Sequence, residues 1–401
     1  MTATTSATIG QEPVEGRITD EAIADAKARI GTILRPEGPY LQDATIDTIR
    51  NFANGIGDLN PLFRDAEHGR ATRFGTAIAH PMFPYAFGWP GRSRWGLAGV
   101  HGFYAGNDWE YFRAVKPGNR ISCVERVVGV EEKESQFSGR LVIQYVEANY
   151  VNEHDELVAR VLGITTRHER RASREKGKYK DVRPYEYSDD ELRTIDEVVL
   201  GERAAIRGTR TRYWEDVEVG EEITPIARGP LSLMDTMGFL VGTGRGHTHG
   251  LILEAAQKHA AHYFRNPESS GGIEYTGIGH HRDSVAKQVG VPGTYDYGPQ
   301  RTAWLASAVT NWMGDDAFLK RLRAELRRFN TMGDTTWCKG RVTSKYVKDG
   351  HALVDLEVWC ENQRGEVTTP GLATVILPSK DVATLAVLDG SRLDLELPVV
   401  R

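Results

Sequence analysis

Two short stretches of this chain hold residue types that move protons. In Gly57-Asp58-Leu59-Asn60-Pro61 a carboxylate and an amide sit two apart at a proline turn, and His80 follows in Ala79-His80-Pro81. In His280-His281-Arg282-Asp283 two imidazoles stand beside an acid, with Asp296, Tyr297 and Gly298 a short spacer later. An imidazole titrates near neutral pH, so His281 is suited to giving or taking a proton. Each stretch also has a plainer use. Asp58 and Asn60 can cap backbone N–H groups in an ordinary turn, and His80 can simply pack and hydrogen-bond. His247, His249, His280 and His281 form a cluster when counted, but their spacing matches no zinc pattern and no metal is expected. Arg245 lies in Gly242-Thr-Gly-Arg-Gly246. Its guanidinium fork fits a phosphate or a carboxylate, while the glycine run is too irregular for a dinucleotide loop.

The elements that must position these groups come from a chain of 401 residues, long enough for two domains. It is 40% hydrophobic and 26% charged, as a soluble globular protein is. A net charge of -5 argues against nucleic acid, whose phosphates want a basic face. No apolar run reaches membrane-spanning length and the first residues lack the order of a signal peptide, so a cytoplasmic location and no membrane partner are expected. Three cysteines, Cys123, Cys338 and Cys360, with no Cys-x-x-Cys pair, read as buried reduced thiols.

The chain repeats itself. Setting Gly118 on Gly333 also aligns Cys123 with Cys338 and Val127 with Val342 and brings Phe112 beside Phe329. Alternating runs such as 141–151 and 352–360 predict strands with one solvated face. A helical stretch is expected before the strands of each half, over 81–89 and 299–313. The boundaries expected are 1–170 and 206–385 for two units, a charged linker over 171–205 whose tail forms a helix, and a tail over 386–401. The order of elements predicts an α+β fold in which each helix is wrapped by a curled antiparallel sheet.

The stretch from Phe52 to Met82 resembles the signature of the MaoC-like, (R)-specific enoyl-CoA hydratases, Gly-Asp-x-Asn-Pro-x-His-x-Asp followed by Phe-Gly-x-x-Ile-Ala-His-Gly-Met. The resemblance implies a double hot-dog fold, with similarity over about 30–170 and 210–380. Asp58, Asn60, Pro61, Asp65, Phe74, Gly75, Ile78, Ala79, His80 and Met82 fall in register. The family's catalytic His is Phe63 here, and its helix-start Gly is Pro81. Both return in the second half, as His281 and Gly298. There the family's acid is missing: aligning Phe52 with Phe239 and Gly55 with Gly242 puts Asp58 on Arg245, and the residue five before His281 is Thr276. Asp283 and Asp296 are the nearest acids in sequence, and an insertion over 251–278 carries Glu254 and Glu274.

The resemblance implies reversible syn addition of water to a 2-enoyl-CoA, with coenzyme A as part of the substrate and no metal or redox cofactor. His281 is then the expected acid or base and the Gly298 N–H the oxyanion donor, with Asp296 or Asp283 assisting. Tyr297, Arg245, Asp58, Asn60 and His80 are expected to bind substrate or shape its pocket, the first half acting as structural partner. Loss of function in one repeat leaves room for bulky acyl groups. Two other readings stay open: a hot-dog thioesterase with Asp296 as base, and a non-catalytic acyl-binding subunit that needs a partner chain. A homodimer is expected from the habit of hot-dog units to pair.

Overall fold

The computed structural model describes residues 9–34, 40–90, 95–135, 139–176, 182–245 and 249–381. The tail expected over 386–401 lies outside them. Alternation of apolar and polar residues produces the strands it predicts. The run at 141–151 lies in β4 (Gly139–Val151) and that at 352–360 in β11 (His351–Asn362). The first half also supplies β1 (Ile33–Leu34), β2 (His101–Tyr111), β3 (Ser122–Ser135) and β5 (Leu157–His168). The second supplies β6 (Ile226–Arg228), β9 (Phe318–Glu325), β10 (Thr336–Lys348) and β12 (Val367–Leu377). They form one ten-stranded antiparallel sheet in the order β1-β3-β4-β5-β2-β9-β12-β11-β10-β6. A separate hairpin, β7 (Tyr263–Asn266) and β8 (Gly272–Tyr275), belongs to the insertion.

The halves join where β2 pairs with β9, Gly106–Glu110 running against Glu325–Arg321. Two ion pairs lock this seam. Arg321 grips Asp108 at 2.5 and 2.8 Å, and the fully buried Lys320 and Glu110 meet at 3.2 Å. Cys338 and Cys360 face each other across β10 and β11 as buried free thiols, and Cys123 is buried too.

The sheet curls around one long helix. Among the helices, α1 (Asp20–Ala28), α2 (Ile46–Gly55), α3 (Ala66–Arg70), α4 (Arg170–Lys176) and α5 (Asp189–Ala205) come first. They are followed by α6 (Leu233–Gly242), α7 (His249–Lys258), α8 (Asp283–Lys287) and α9 (Gly298–Met313). In α9 every residue from Pro299 to Met313 is buried, so the helix is core on all sides. The helix expected over 81–89 is corrected to a single 3-10 turn, Phe83–Ala86. Pro84 has no N–H to give a helical ladder and its ring disfavours the α conformation of Phe83. The tail of the linker does form a helix, α5, started by a capping box between Ser188 and Glu191.

Helices α2 and α6 are equivalent in the two repeats and cross on glycine. A Cβ on Gly55 would lie 2.5 Å from the Gly238 carbonyl oxygen, and one on Gly242 2.9 Å from that of Asn51. Each helix is followed by the same backbone bond. The Asp58 N–H donates to the Ala53 oxygen at 2.9 Å, and the Arg245 N–H to the Leu240 oxygen at 3.0 Å. Asp58 and Arg245 therefore occupy equivalent places in the two overhangs.

Candidate active site

The first overhang is a closed polar network. The Asp58 backbone position follows α2, and its side chain points against the middle of α9. The Ser307 hydroxyl donates to Asp58 Oδ2 at 2.6 Å and lies 3.3 Å from His80 Nε2, while the Asn60 N–H donates to Asp58 Oδ1 at 2.7 Å. His80 Nε2 is 3.6 Å from Asp58 Oδ2, and both side chains are fully buried. His80 Nδ1 accepts from the Met82 N–H at 3.1 Å, which places the ring proton on Nε2. Burial raises the Asp58 pKa against the bonds from Ser307 and Asn60. It lowers that of His80 to about 3, leaving the imidazole neutral.

The network continues away from Asp58. The Asn60 amide donates to Asn311 Oδ1 at 3.4 Å, the Asn311 amide to Glu202 at 3.1 Å, and Arg228 holds Glu202 at 2.6 and 2.9 Å. No motif in the sequence singles out Ser307, Asn311, Glu202 or Arg228. Their one signal is polarity at buried positions: Ser307 and Asn311 lie four apart on one face of an otherwise core helix.

The cavity beside this network is small. Phe63 packs edge-on against His80 with ring centres 5.2 Å apart. Beside them and Pro81 is a cavity of about 50 Å³, lined by Leu62, Phe74, Ile78, Val115, Met313 and Phe318 among others. Ligand pockets run to about 300–1,000 Å³. Phe63 and Pro81, which stand where the resemblance places a His and a Gly, line this cavity.

The second overhang is built differently. His281 ends a 3-10 turn, its N–H donating to the Ile278 oxygen at 2.8 Å. Its ring centre is 5.9 Å from that of Tyr297, the residue just before α9. His281 Nε2 is buried and makes no hydrogen bond to any described residue, and burial lowers its pKa. Tyr297 is nearly fully buried: its ring stacks on His280 at 3.9 Å and its hydroxyl lies 3.3 Å from that of Tyr275. Arg245 stands over Trp89 at 4.8 Å, and its charge acts on both tyrosine hydroxyls. Trp89 in turn touches Tyr297 at 5.9 Å, so the first half supplies a wall. Gly298 opens α9, whose first N–H groups have no intrahelical acceptor. A Cβ there would meet Leu326 Cδ1 at 2.3 Å and the Tyr104 ring at 3.0 Å, so a larger residue would have to displace the Leu326 side chain.

The acids expected beside His281 are engaged elsewhere. Asp296 is gripped through both oxygens by Arg301, at 2.7 and 2.5 Å, both side chains buried. Its expected place across the pocket from His281 is therefore corrected to a structural ion pair. Asp283 accepts from the Thr294 N–H at 2.7 Å, tying α8 to the loop before α9. Glu274 is held by Arg282, Asn266 and Ser269, and Glu254 is exposed beside Lys258. Nor does Asp58 serve His281: Ser307 lies nine residues into α9 from Gly298, about 14 Å along the axis. Among the described residues no three His, Cys, Asp or Glu are grouped to hold a metal. His247 lies outside the described residues, and no described helix is long and apolar enough to cross a membrane.

Comparison with known proteins agrees with this architecture. Residues 41–161 match the family described as FAS1-like, dehydratase domain region. A UPF0336 protein of Streptomyces avermitilis is 25% identical over 108 residues, covering 25% of this chain and 71% of that one. A solved MaoC-like dehydratase superposes with a TM-score of 0.60 at 16% identity, over 88% of this chain and 99% of its own. A Mycobacterium tuberculosis protein with a double hotdog fold gives 0.53 at 11% identity, over 87% and 96%. The chain has the double hot-dog fold of these structures, and residues 41–161 resemble a FAS1-like dehydratase domain region.

Proposed function

We propose that this protein is a hydratase or dehydratase of acyl thioesters, working from its second overhang. The observation that carries the proposal is His281: an imidazole with a buried Nε2 that no described residue bonds, held beside the N-terminal turn of α9. Burial favours its neutral form, the form of a base. With a trans-2-enoyl thioester bound, His281 Nε2 takes a proton from water as the water oxygen bonds to C3. The C2–C3 π electrons move onto the thioester carbonyl as an enolate. The Gly298 N–H and the positive end of α9 stabilise that oxygen. The imidazolium then returns its proton to C2, giving a 3-hydroxyacyl thioester; the reverse sequence removes water. Tyr297 and Tyr275 orient the substrate, and coenzyme A as the thiol is carried over from the family resemblance.

A second reading has its own observation. Arg245 holds the place where the first half keeps Asp58, so no carboxylate is available to position the water. That favours a subunit that binds acyl thioesters without hydrating them. Following loss of enoyl absorbance for a panel of trans-2-enoyl-CoAs, alongside thiol release, decides among the readings. Absorbance loss without thiol release supports hydration, and thiol release supports a thioesterase. Tight ester binding with neither leaves the binding subunit.

A further inference from the structure

A cluster of cationic and hydrogen-bonding side chains lies where β2 begins and β5 ends. His101 and His168 are cross-strand partners there, with Arg167 beside them and Arg170 just beyond, on α4. Arg167 donates through Nη2 to the carbonyl oxygens of Leu97 and Val100, each at 2.8 Å. Arg170 is different. It is only 5% exposed, yet its Nε and Nη1 are buried and bond to no described residue. The Ser173 hydroxyl, one turn along α4 and 1% exposed, likewise bonds to no described residue, nor does His101 Nε2.

Among the described carboxylates nearby, Glu169 accepts from the Ile18 N–H at 2.7 Å, and Glu15, whose charge also acts on Arg170, stands 3.9 Å from Arg174. A buried guanidinium with unmet donors is costly, and such donors are normally satisfied by a partner. The surroundings lead to the second overhang. Phe103 touches His101 at 4.5 Å and His168 at 5.6 Å, and reaches Tyr295 through Phe329. Tyr295 contacts His280 at 4.2 Å, and His280 stacks on Tyr297.

We propose that Arg170, Ser173 and His101 form a buried oxyanion-binding subsite adjoining the His281 site, taking a carboxylate or a phosphoryl group. The Arg170 guanidinium supplies the charge that matches the oxygens of such a group, and the Ser173 hydroxyl adds a further donor. A buried cation with unmet donors selects for an anion. That this oxyanion belongs to the acyl substrate rests on the function proposed above; the subsite itself does not.

The test is calorimetric titration and thermal unfolding of the full chain with inorganic phosphate or with succinate, against sodium chloride at matched ionic strength. The wild type is expected to bind one of the two and to unfold at higher temperature with it. Arg170→Met is expected to weaken that binding by at least about tenfold, and Ser173→Ala by about threefold. A response to succinate alone assigns a carboxylate, and one to phosphate alone a phosphoryl group. No response beyond chloride, or equal binding by wild type and Arg170→Met, overturns the proposal. Should Arg170→Met not fold, the wild-type titration and Ser173→Ala decide the same question. Hydration of an enoyl-CoA whose acyl chain carries no charge is measured on the same wild-type sample. Its absence alongside oxyanion binding would count against the proposed reaction and not against the subsite.

Discussion

The two overhangs share a helix, a glycine crossing and the backbone bond that closes the turn, yet they reach opposite ends chemically. The first keeps the family's acid, Asp58, and buries it among Ser307, His80 and Asn60 with a cavity of about 50 Å³ beside it. The second keeps the imidazole and the helix-start glycine, and puts Arg245 where the acid stood. In the first copy the buried carboxylate has its donors met, by Asn60 from its own half and by Ser307 from the other. A signature of this kind can be held in place by hydrogen bonding and packing alone. The other copy is recognisable by the groups left unsatisfied, His281 Nε2 above all.

The sharpest way to break this comparison is to remove the imidazole. His281→Ala is expected to slow hydration by about 10²–10⁴-fold, read from initial rates of enoyl loss, with binding of the thioester retained. Restoring the family pattern works in the opposite direction. Arg245→Asp brings a carboxylate to the water-positioning place and is expected to raise the rate by about tenfold; a fall would show that Arg245 itself serves the substrate. In the first half the effect is on stability. Asp58→Ala orphans the Asn60 N–H and leaves the Ser307 hydroxyl only the Ala303 carbonyl as acceptor, and is expected to cost about 1–3 kcal/mol in denaturant unfolding. Phe63→His with Pro81→Gly, made in the His281→Ala background, is expected to recover no activity, since the cavity does not admit an acyl chain.

Acid sharpens the contrast further. Burial lowers the His281 pKa, so the neutral base persists below the usual imidazole range, and the acid limb of kcat/KM is expected below about 6.5. His80 titrates near 3 when folded and near 6.5 when unfolded, so the unfolded chain binds the proton first. The stability this gives is present above about 6.5 and is lost as pH falls toward 3. His80→Gln is expected to flatten the loss by up to about 1.4 kcal/mol per pH unit, seen in urea midpoints across that range. Asp58, raised by burial, acts in the opposite sense, so the two partly offset in the wild-type slope.

Much of the fold was legible from local signals: the alternation in β4 and β11, the apolar run of α9, the paired glycines of α2 and α6. The pairing of Asp58 with Arg245 was legible too, from Phe52 and Gly55 set on Phe239 and Gly242. The helix expected at 81–89 failed because Pro84 outweighs an apolar pattern. Asp296 was misplaced for another reason. Proximity in sequence to His281 says nothing of Arg301, one turn into α9, which takes both its oxygens. Ser307, Asn311, Glu202 and Arg228 are long-range partners, and no motif marks a residue whose role is to satisfy another across a domain seam. The isolation of Arg170 was equally invisible, since burial without a partner is a property of the folded chain.

The central claim is that the working site lies in the second overhang. The direct measurement is enoyl-CoA hydration by wild type, His281→Ala and Asp58→Asn, each scaled to folded protein. The account predicts activity lost with His281→Ala and kept with Asp58→Asn. Activity kept without His281 and lost with Asp58→Asn would put the chemistry in the first overhang and contradict it.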